Sequence, residues 1–122
     1  MTWSSTGSIL MALAVVLGAF GAHGLRDRLD AYSMGVYEKA VFYHLIHALG
    51  LLMVSFLPKT GTFPESATSW VCGLLLTGIV IFSGSLYLLA VTGNRMLGAI
   101  TPLGGVSFIA AWLMLAWFLL RK

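Results

Sequence analysis

Hydrophobic residues in this chain fall into four long stretches separated by short polar segments. The stretches cover about residues 5–22, 36–57, 69–91 and 97–120. Each is close to the roughly 20 apolar residues that a helix needs to cross the hydrocarbon of a bilayer. Within lipid, only helices and closed barrels satisfy their own backbone hydrogen bonds. The pattern therefore predicts an all-α fold: a single transmembrane domain over residues 1–122, a bundle of four helices with short loops.

The segment between the first two stretches has a pattern of its own. Residues 24–35 carry the densest charge of the chain, and Leu25, Leu29 and Tyr32 recur at intervals of four and three. That spacing places the three apolar side chains on one helical face. We expect an amphipathic turn or short helix that lies at the membrane surface.

The fourth stretch contains Pro102, which leaves two interpretations of its start. Either Thr101 caps a helix whose first position is Pro102, or the helix begins near Met96 and kinks at the proline. We expect the capped start, because residues 102–120 still span about 28 Å at the helical rise.

Composition and charge are typical of an integral membrane protein. The chain is 59% hydrophobic and 9% charged, whereas soluble domains carry about 25% charged residues. A soluble fold of this size could not hide so much apolar surface. The net charge of +3 is spread over loops and ends, which argues against a nucleic-acid partner. Residues 1–7 lack the basic segment of a signal peptide, so we interpret residues 8–22 as part of a retained first span.

Orientation follows weakly from the same charges. An even number of spans places both termini on the same side of the membrane. The adjacent Arg121 and Lys122 favour the cytoplasm for that side. We therefore expect a multi-pass protein of the plasma (inner) membrane whose termini are cytoplasmic.

Polar side chains within the spans are the candidates for chemistry, because ionisable residues are costly inside a membrane. His44 and His47 share a face of the second span, and Tyr43 is one turn from His47. His23 ends the first span, and Tyr87 lies in the third. These five residues form a candidate site for a polar ligand or a proton path.

Three interpretations of these residues remain open. The histidines form buried hydrogen bonds to neighbouring helices, with Ser83, Ser85 and Thr101 as partners; or His47, Tyr43 and Tyr87 line a path for protons or a small solute; or His23 and His47 bind haem or quinone. A metal needs three or four convergent ligands, and the lone Cys72 adds no pair. We predict no metal, no cofactor and, since no catalytic motif is present, no enzymatic activity.

Small residues along the spans point to close helix packing. The glycines that we expect at helix contacts are Gly18, Gly21, Gly84, Gly104 and Gly105. Small residues let helix backbones approach each other in lipid. The predicted function is a structural or accessory membrane protein that forms a homo-oligomer or joins a membrane complex. The alternative is a transporter or channel that uses His47 and Tyr43.

Four separated groups of residues resemble the YgdD-like family. They are residues 18–23 (GAFGAH), Tyr43 with residues 47–49, residues 82–87 (FSGSLY), and residues 101–102 with Gly104, Gly105 and Trp112. The resemblance covers the whole chain and implies a small polytopic membrane protein, found in bacteria with eukaryotic counterparts, of unknown function.

The chain departs from that family pattern at two positions. His44 stands where a glutamine is usual, and Ala111 where a glycine is usual. A site that needs both His44 and His47 is therefore not a general mechanism of the family, and the resemblance directs attention to His23 and His47.

Overall fold

A computed structural model describes residues 1–121 as a chain of helices joined by short turns. The α-helices are α1 (Trp3–His23), α2 (Ala31–Ser55), α3 (Glu65–Gly78), α4 (Gly84–Thr92) and α5 (Thr101–Leu120). A π-helical segment, Ile79–Ser83, joins α3 to α4, and the 3-10 helices Leu57–Thr60 and Arg95–Ala99 follow α2 and precede α5. The described residues contain no strand, so the predicted all-α class is confirmed.

Four helical stretches in the described residues are long and apolar enough to cross a membrane. They are Trp3–His23, Ala31–Thr60, Glu65–Thr92 and Arg95–Leu120, which confirms a bundle of four candidate spans. Each begins before the hydrophobic stretch that predicted it. Each helix extends beyond its apolar stretch, because polar residues at the helix start also make helical backbone hydrogen bonds. Hydropathy alone does not predict these additional residues.

The segment 24–35 differs from its prediction. Residues 24–29 form turns, whereas α2 already begins at Ala31. The predicted surface segment is therefore wrong over residues 31–35. Asp30 is the physical reason, because its carboxylate accepts a 2.7 Å hydrogen bond from the Ser33 amide and caps α2. That hydrogen bond also holds the pKa of the Asp30 carboxyl below its ordinary value.

The start of α5 also corrects one detail. The helix begins at Thr101, with Pro102 in its first turn, and the cap position is Ile100. Thr101 is therefore not the cap. Its hydroxyl instead lies 2.6 Å from the Ser85 hydroxyl oxygen on α4, so it is used to join two spans rather than to close a helix end.

Helix α2 lies at the centre of the bundle. It packs against α1 on one side and against α3, the π segment and α4 on another, while α5 packs against α3 and the π segment. The main apolar core lies among these helices and contains Ala48, Leu51, Val54, Val71, Cys72, Leu75, Ile79, Phe108 and Ala111. Helix α1 is peripheral: 17% of its apolar window is buried, against 44% for the third span.

Glycines permit the closest approaches between these helices. A Cβ atom at Gly104 would collide with the backbone nitrogen and Cα of Phe82 in the π segment. Added Cβ atoms at Gly21 and Gly78 would collide with the rings of Tyr37 and Phe108. Close backbone approach through small residues is the usual way in which helices associate in lipid, and here it is used within one chain.

The contrast between neighbouring glycines in α5 gives the first prediction. We expect Gly104→Ala to destabilise the protein by about 1–3 kcal/mol, the usual cost of overpacking, because a rigid backbone stands in the way. Gly105→Ala is the matched control, since its Cβ would meet only the Phe82 ring at 3.8 Å. Thermal unfolding in detergent measures both. Equal stability of the two variants would contradict the proposed contact.

Candidate functional site

His44 lies on α2 with 3% of its surface exposed and belongs to a polar contact between two spans. Its Nδ1 is 2.8 Å from the hydroxyl oxygen of Tyr87 on α4. Its other ring nitrogen, Nε2, is buried and makes no hydrogen bond with the described residues, although it faces the backbone of Leu10 on α1. His44 is thus an imidazole with one nitrogen engaged and one unsatisfied.

His47 lies one turn further along α2 and is held by aromatic rings. Its Nδ1 is 2.7 Å from the Tyr43 carbonyl oxygen, and since a carbonyl only accepts, Nδ1 carries the proton. The ring stacks on Phe108 of α5, with centroids 3.6 Å apart and planes 13° apart. The Tyr43 ring is nearly parallel to it at 5.9 Å, and Trp112 lies at 5.8 Å. His47 is therefore fixed in orientation on several sides.

Other polar side chains join the spans in pairs. Tyr37 of α2 donates a 2.6 Å hydrogen bond to the Leu17 carbonyl of α1. Ser83 of the π segment donates to the Ala40 carbonyl of α2 at 2.9 Å. Ser107 of α5 donates to the Leu74 carbonyl of α3 at 2.7 Å. Together with the Ser85–Thr101 pair, these bonds connect every helix to at least one neighbour.

The sequence predicted Ser83, Ser85 and Thr101 as hydrogen-bond partners of the histidines. In the structure Ser83 bonds instead to the Ala40 carbonyl, and Ser85 and Thr101 bond to each other. Tyr37 and Ser107 were not predicted. Tyr37 lies two turns before His44, so its position on the same face of α2 was the available indication. Ser107 had a weaker indication, its place one turn after Gly104 in α5.

The structure does not bring the five predicted site residues together. His44 meets Tyr87, and His47 meets Tyr43, but His23 is exposed at the end of α1. His47 lies about 24 Å along α2 from the end where His23 is found, at the helical rise. Within residues 1–121, no three His, Cys, Asp or Glu side chains are placed to hold a metal ion.

The predicted packing glycines fall into two groups, according to whether an added Cβ atom would meet another part of the chain. Gly18, Gly21, Gly104 and Gly105 face atoms of their own chain, whereas Gly84 has nothing within 4 Å of an added Cβ. The first four are thus used inside the monomer. Gly84 lies on the outward side of the third span.

The arrangement has a limited chemical capability. Its hydroxyl and imidazole groups make hydrogen bonds that hold helices together where lipid offers no partner. Within residues 1–121, the one buried side-chain nitrogen or oxygen without a hydrogen bond is His44 Nε2, which can give or take a proton in its neutral forms. No nucleophile in this group is paired with a base and an orienting acid.

Comparison with known proteins places the chain among membrane proteins. Residues 17–105 match a family model described as "Protein of unknown function (DUF423)". The UPF0382 membrane protein YwdK of Bacillus subtilis strain 168 is 50% identical over 111 residues, 89% of this chain and 88% of the relative. A UPF0382 membrane protein of Staphylococcus epidermidis ATCC 12228 is 50% identical over 109 residues, 89% of this chain and 87% of the relative.

These relatives confirm the prediction of a membrane protein of unknown function. No solved structure matches the chain. The family match covers more than half of the chain, and the relatives align over most of both lengths. The chain therefore belongs to the DUF423 family of proteins of unknown function, whose relatives include the UPF0382 membrane proteins.

Proposed function

We propose that this protein is a small accessory protein of the plasma membrane that acts by associating with other membrane helices, first of all a second copy of itself. The observation that supports this proposal most directly is the position of Gly73 and Gly84. An added Cβ at either glycine meets nothing within 4 Å. Both lie on the outward side of the third span, so the chain does not fill the space before them.

These glycines belong to a continuous outer stripe on the third span, which consists of Gly73, Thr77, Val80, Gly84 and Leu88. Successive members are three or four residues apart and therefore share a helix face. Val80 and Leu88 are 61% and 55% exposed. In lipid, a face of small residues flanked by apolar ones allows a second helix to approach closely.

The interior of the bundle supports the same proposal by its completeness. Tyr37, His44, Ser83 and Ser107 hydrogen-bond to neighbouring helices, and the aromatic rings around His47 pack closely against one another. A closely packed interior of this kind is more typical of a structural protein than of a transporter that changes conformation. On this proposal, His44, His47, Tyr43 and Tyr87 hold the bundle together, and His23 is a surface residue.

The finer details of placement are part of the same proposal. Both termini face the cytoplasm, which the basic Arg121 at the end of the fourth span supports. The narrower likeness to the YgdD-like family rests on the motifs around Gly18, His47, Gly84 and Pro102.

A second function, a path for protons or a small solute, has one specific observation in its favour. The Nε2 atom of His44 is buried and makes no hydrogen bond, and buried polar atoms without partners are rare in proteins. Intramembrane ionisable residues often mark such paths. The resemblance to the YgdD-like family implies a glutamine at this position, which argues that any such role is not general to that family.

Association through the outer stripe gives a prediction with a matched control. We expect Gly84→Leu and Gly73→Leu to lower the oligomer fraction in native mass spectrometry by about fivefold or more, since about 1 kcal/mol of helix packing is lost. Each monomer has room for the new side chain. Gly35→Leu is the control, because Gly35 also has nothing within 4 Å but lies at the start of α2.

Two results would contradict this prediction. One is a wild-type protein that is monomeric in native membranes by crosslinking and recovers no partner protein. The other is an equal effect of Gly35→Leu, which would show that leucine at any lipid-facing glycine disturbs the protein.

Variants at the contact between His44 and Tyr87 distinguish the accessory function from the proton or solute path. If the residues are structural, Tyr87→Phe lowers stability by about 1 kcal/mol, the typical worth of a hydrogen bond between helices in a membrane, and liposomes with wild-type protein show no proton flux above empty liposomes. His44→Gln should be mild, because an amide can still meet the Tyr87 hydroxyl. Proton flux that disappears in His44→Gln would instead establish the second function.

A further inference from the structure

An open cleft lies at the end of the bundle that carries both termini. It has a volume of about 710 Å³ and is bordered by the beginnings of α1 and α3 and the end of α2. The cleft exists because α1 packs chiefly on α2 and leaves the space beside α3 unfilled. It therefore opens where the membrane surface meets the headgroups of lipids.

The two sides of the cleft are joined by hydroxyl groups. The Ser4 and Ser55 hydroxyl oxygens are 2.9 Å apart, and the Trp3 indole donates a 3.3 Å hydrogen bond to the Ser69 hydroxyl. Tryptophan with its polar edge toward hydroxyls is typical of the membrane interface. The Ser55 hydroxyl also donates to the Leu52 carbonyl oxygen, so the protons of the Ser4–Ser55 pair are already used. The exposed Ser69 hydroxyl accepts from Trp3 and keeps its own proton for a ligand.

Two opposite charges border the same cleft. Lys59 and Glu65 both line it, yet they form no ion pair with each other, and the Lys59 amine instead lies 5.4 Å from the Phe56 ring centroid. An ammonium group and a carboxylate that are separate from each other complement a ligand that carries both a phosphate and an ammonium. A purely anionic ligand would leave Glu65 facing a like charge.

One side of the cleft extends along α3 from the polar rim to an apolar residue. Leu76 lines it and lies about 16 Å along the helix from Glu65 at the helical rise. An acyl chain can follow this path into the hydrocarbon while the headgroup stays at the rim. The shape and charge of the cleft match one molecule with a polar head and an apolar tail.

From these contacts we propose that the cleft binds a phospholipid with a phosphoethanolamine headgroup. Lys59 and the Ser69 hydroxyl bind the phosphodiester, Glu65 accepts hydrogen bonds from the primary ammonium, and an acyl chain lies along α3 toward Leu76. The headgroup contacts at Lys59 and Glu65 lie beyond the end of the outer stripe, whereas the acyl chain follows the face of α3 that also carries Gly73, which lies between Ser69 and Leu76. Lipid retention is therefore measured on the monomer as well as on any oligomer, so that a failure of lipid binding is distinct from a failure of helix association.

The test is competitive lipid retention in native mass spectrometry. Wild-type protein is reconstituted with equal amounts of phosphatidylethanolamine, phosphatidylglycerol and phosphatidylcholine and released gently. We expect phosphatidylethanolamine to be retained most. Glu65→Gln should reduce its preference over phosphatidylcholine about fivefold, and Lys59→Ala should reduce retention of all three lipids by a similar factor.

Matched controls lie at the opposite end of α2. Glu38 and Lys39 are also an exposed acid and an exposed base, so Glu38→Gln and Lys39→Ala should leave the lipid preference unchanged. Circular dichroism and thermal unfolding establish that each variant is folded. A wild type without preference, a preference for phosphatidylglycerol, or an equal effect of the controls would overturn the proposal.

Discussion

Lipid hydrocarbon offers no hydrogen-bond partners, so polar groups within the membrane must find partners in the protein. The packing of the bundle follows from the way in which α2 meets this requirement. This helix carries Tyr37, His44 and His47 into the membrane. Tyr37 and His44 hydrogen-bond to other helices, and His47 hydrogen-bonds to the backbone of α2 itself. An unsatisfied polar group in lipid costs several kcal/mol. The central place of α2, with neighbours on several sides, is therefore required by its own side chains.

The same constraint explains the difference between the inner and the outer surfaces. Between the spans, serine and threonine hydroxyls make hydrogen bonds to carbonyls or to each other, and glycines bring the backbones close enough for these bonds to form. Helix α1 is the least buried of the four spans and joins the bundle through polar groups at Trp3, Ser4 and the Leu17 carbonyl. Along the third span, glycines with no neighbour remain on the outside, which is where a second molecule can be packed without any change in the monomer.

The four-helix architecture could be predicted from the sequence, because hydropathy indicates directly whether a segment lies in lipid or in water. The sequence could not show the π segment Ile79–Ser83, since one additional residue in a helical turn leaves no mark on hydropathy. The sequence grouped His23 with His47 because both are polar residues in or beside predicted spans. In the structure they lie far apart, because His47 is several turns along α2 from the end of the bundle where His23 lies. The sequence predicted packing glycines as a class, but whether a glycine faces its own chain, as Gly104 does, or open space, as Gly84 does, depends on helix rotation. Tertiary packing decides that rotation.

The account depends most directly on the claim that the two histidines of α2 are enclosed by protein. The chain has three histidines, so modification with diethyl pyrocarbonate, a small uncharged reagent that enters bilayers, tests that claim with an internal control. In intact proteoliposomes, peptide mass spectrometry should find His23 modified rapidly, and His44 and His47 modified only after unfolding. Modification of His44 or His47 at the rate of His23 would contradict the account, because it would show that water and reagent reach the centre of the bundle.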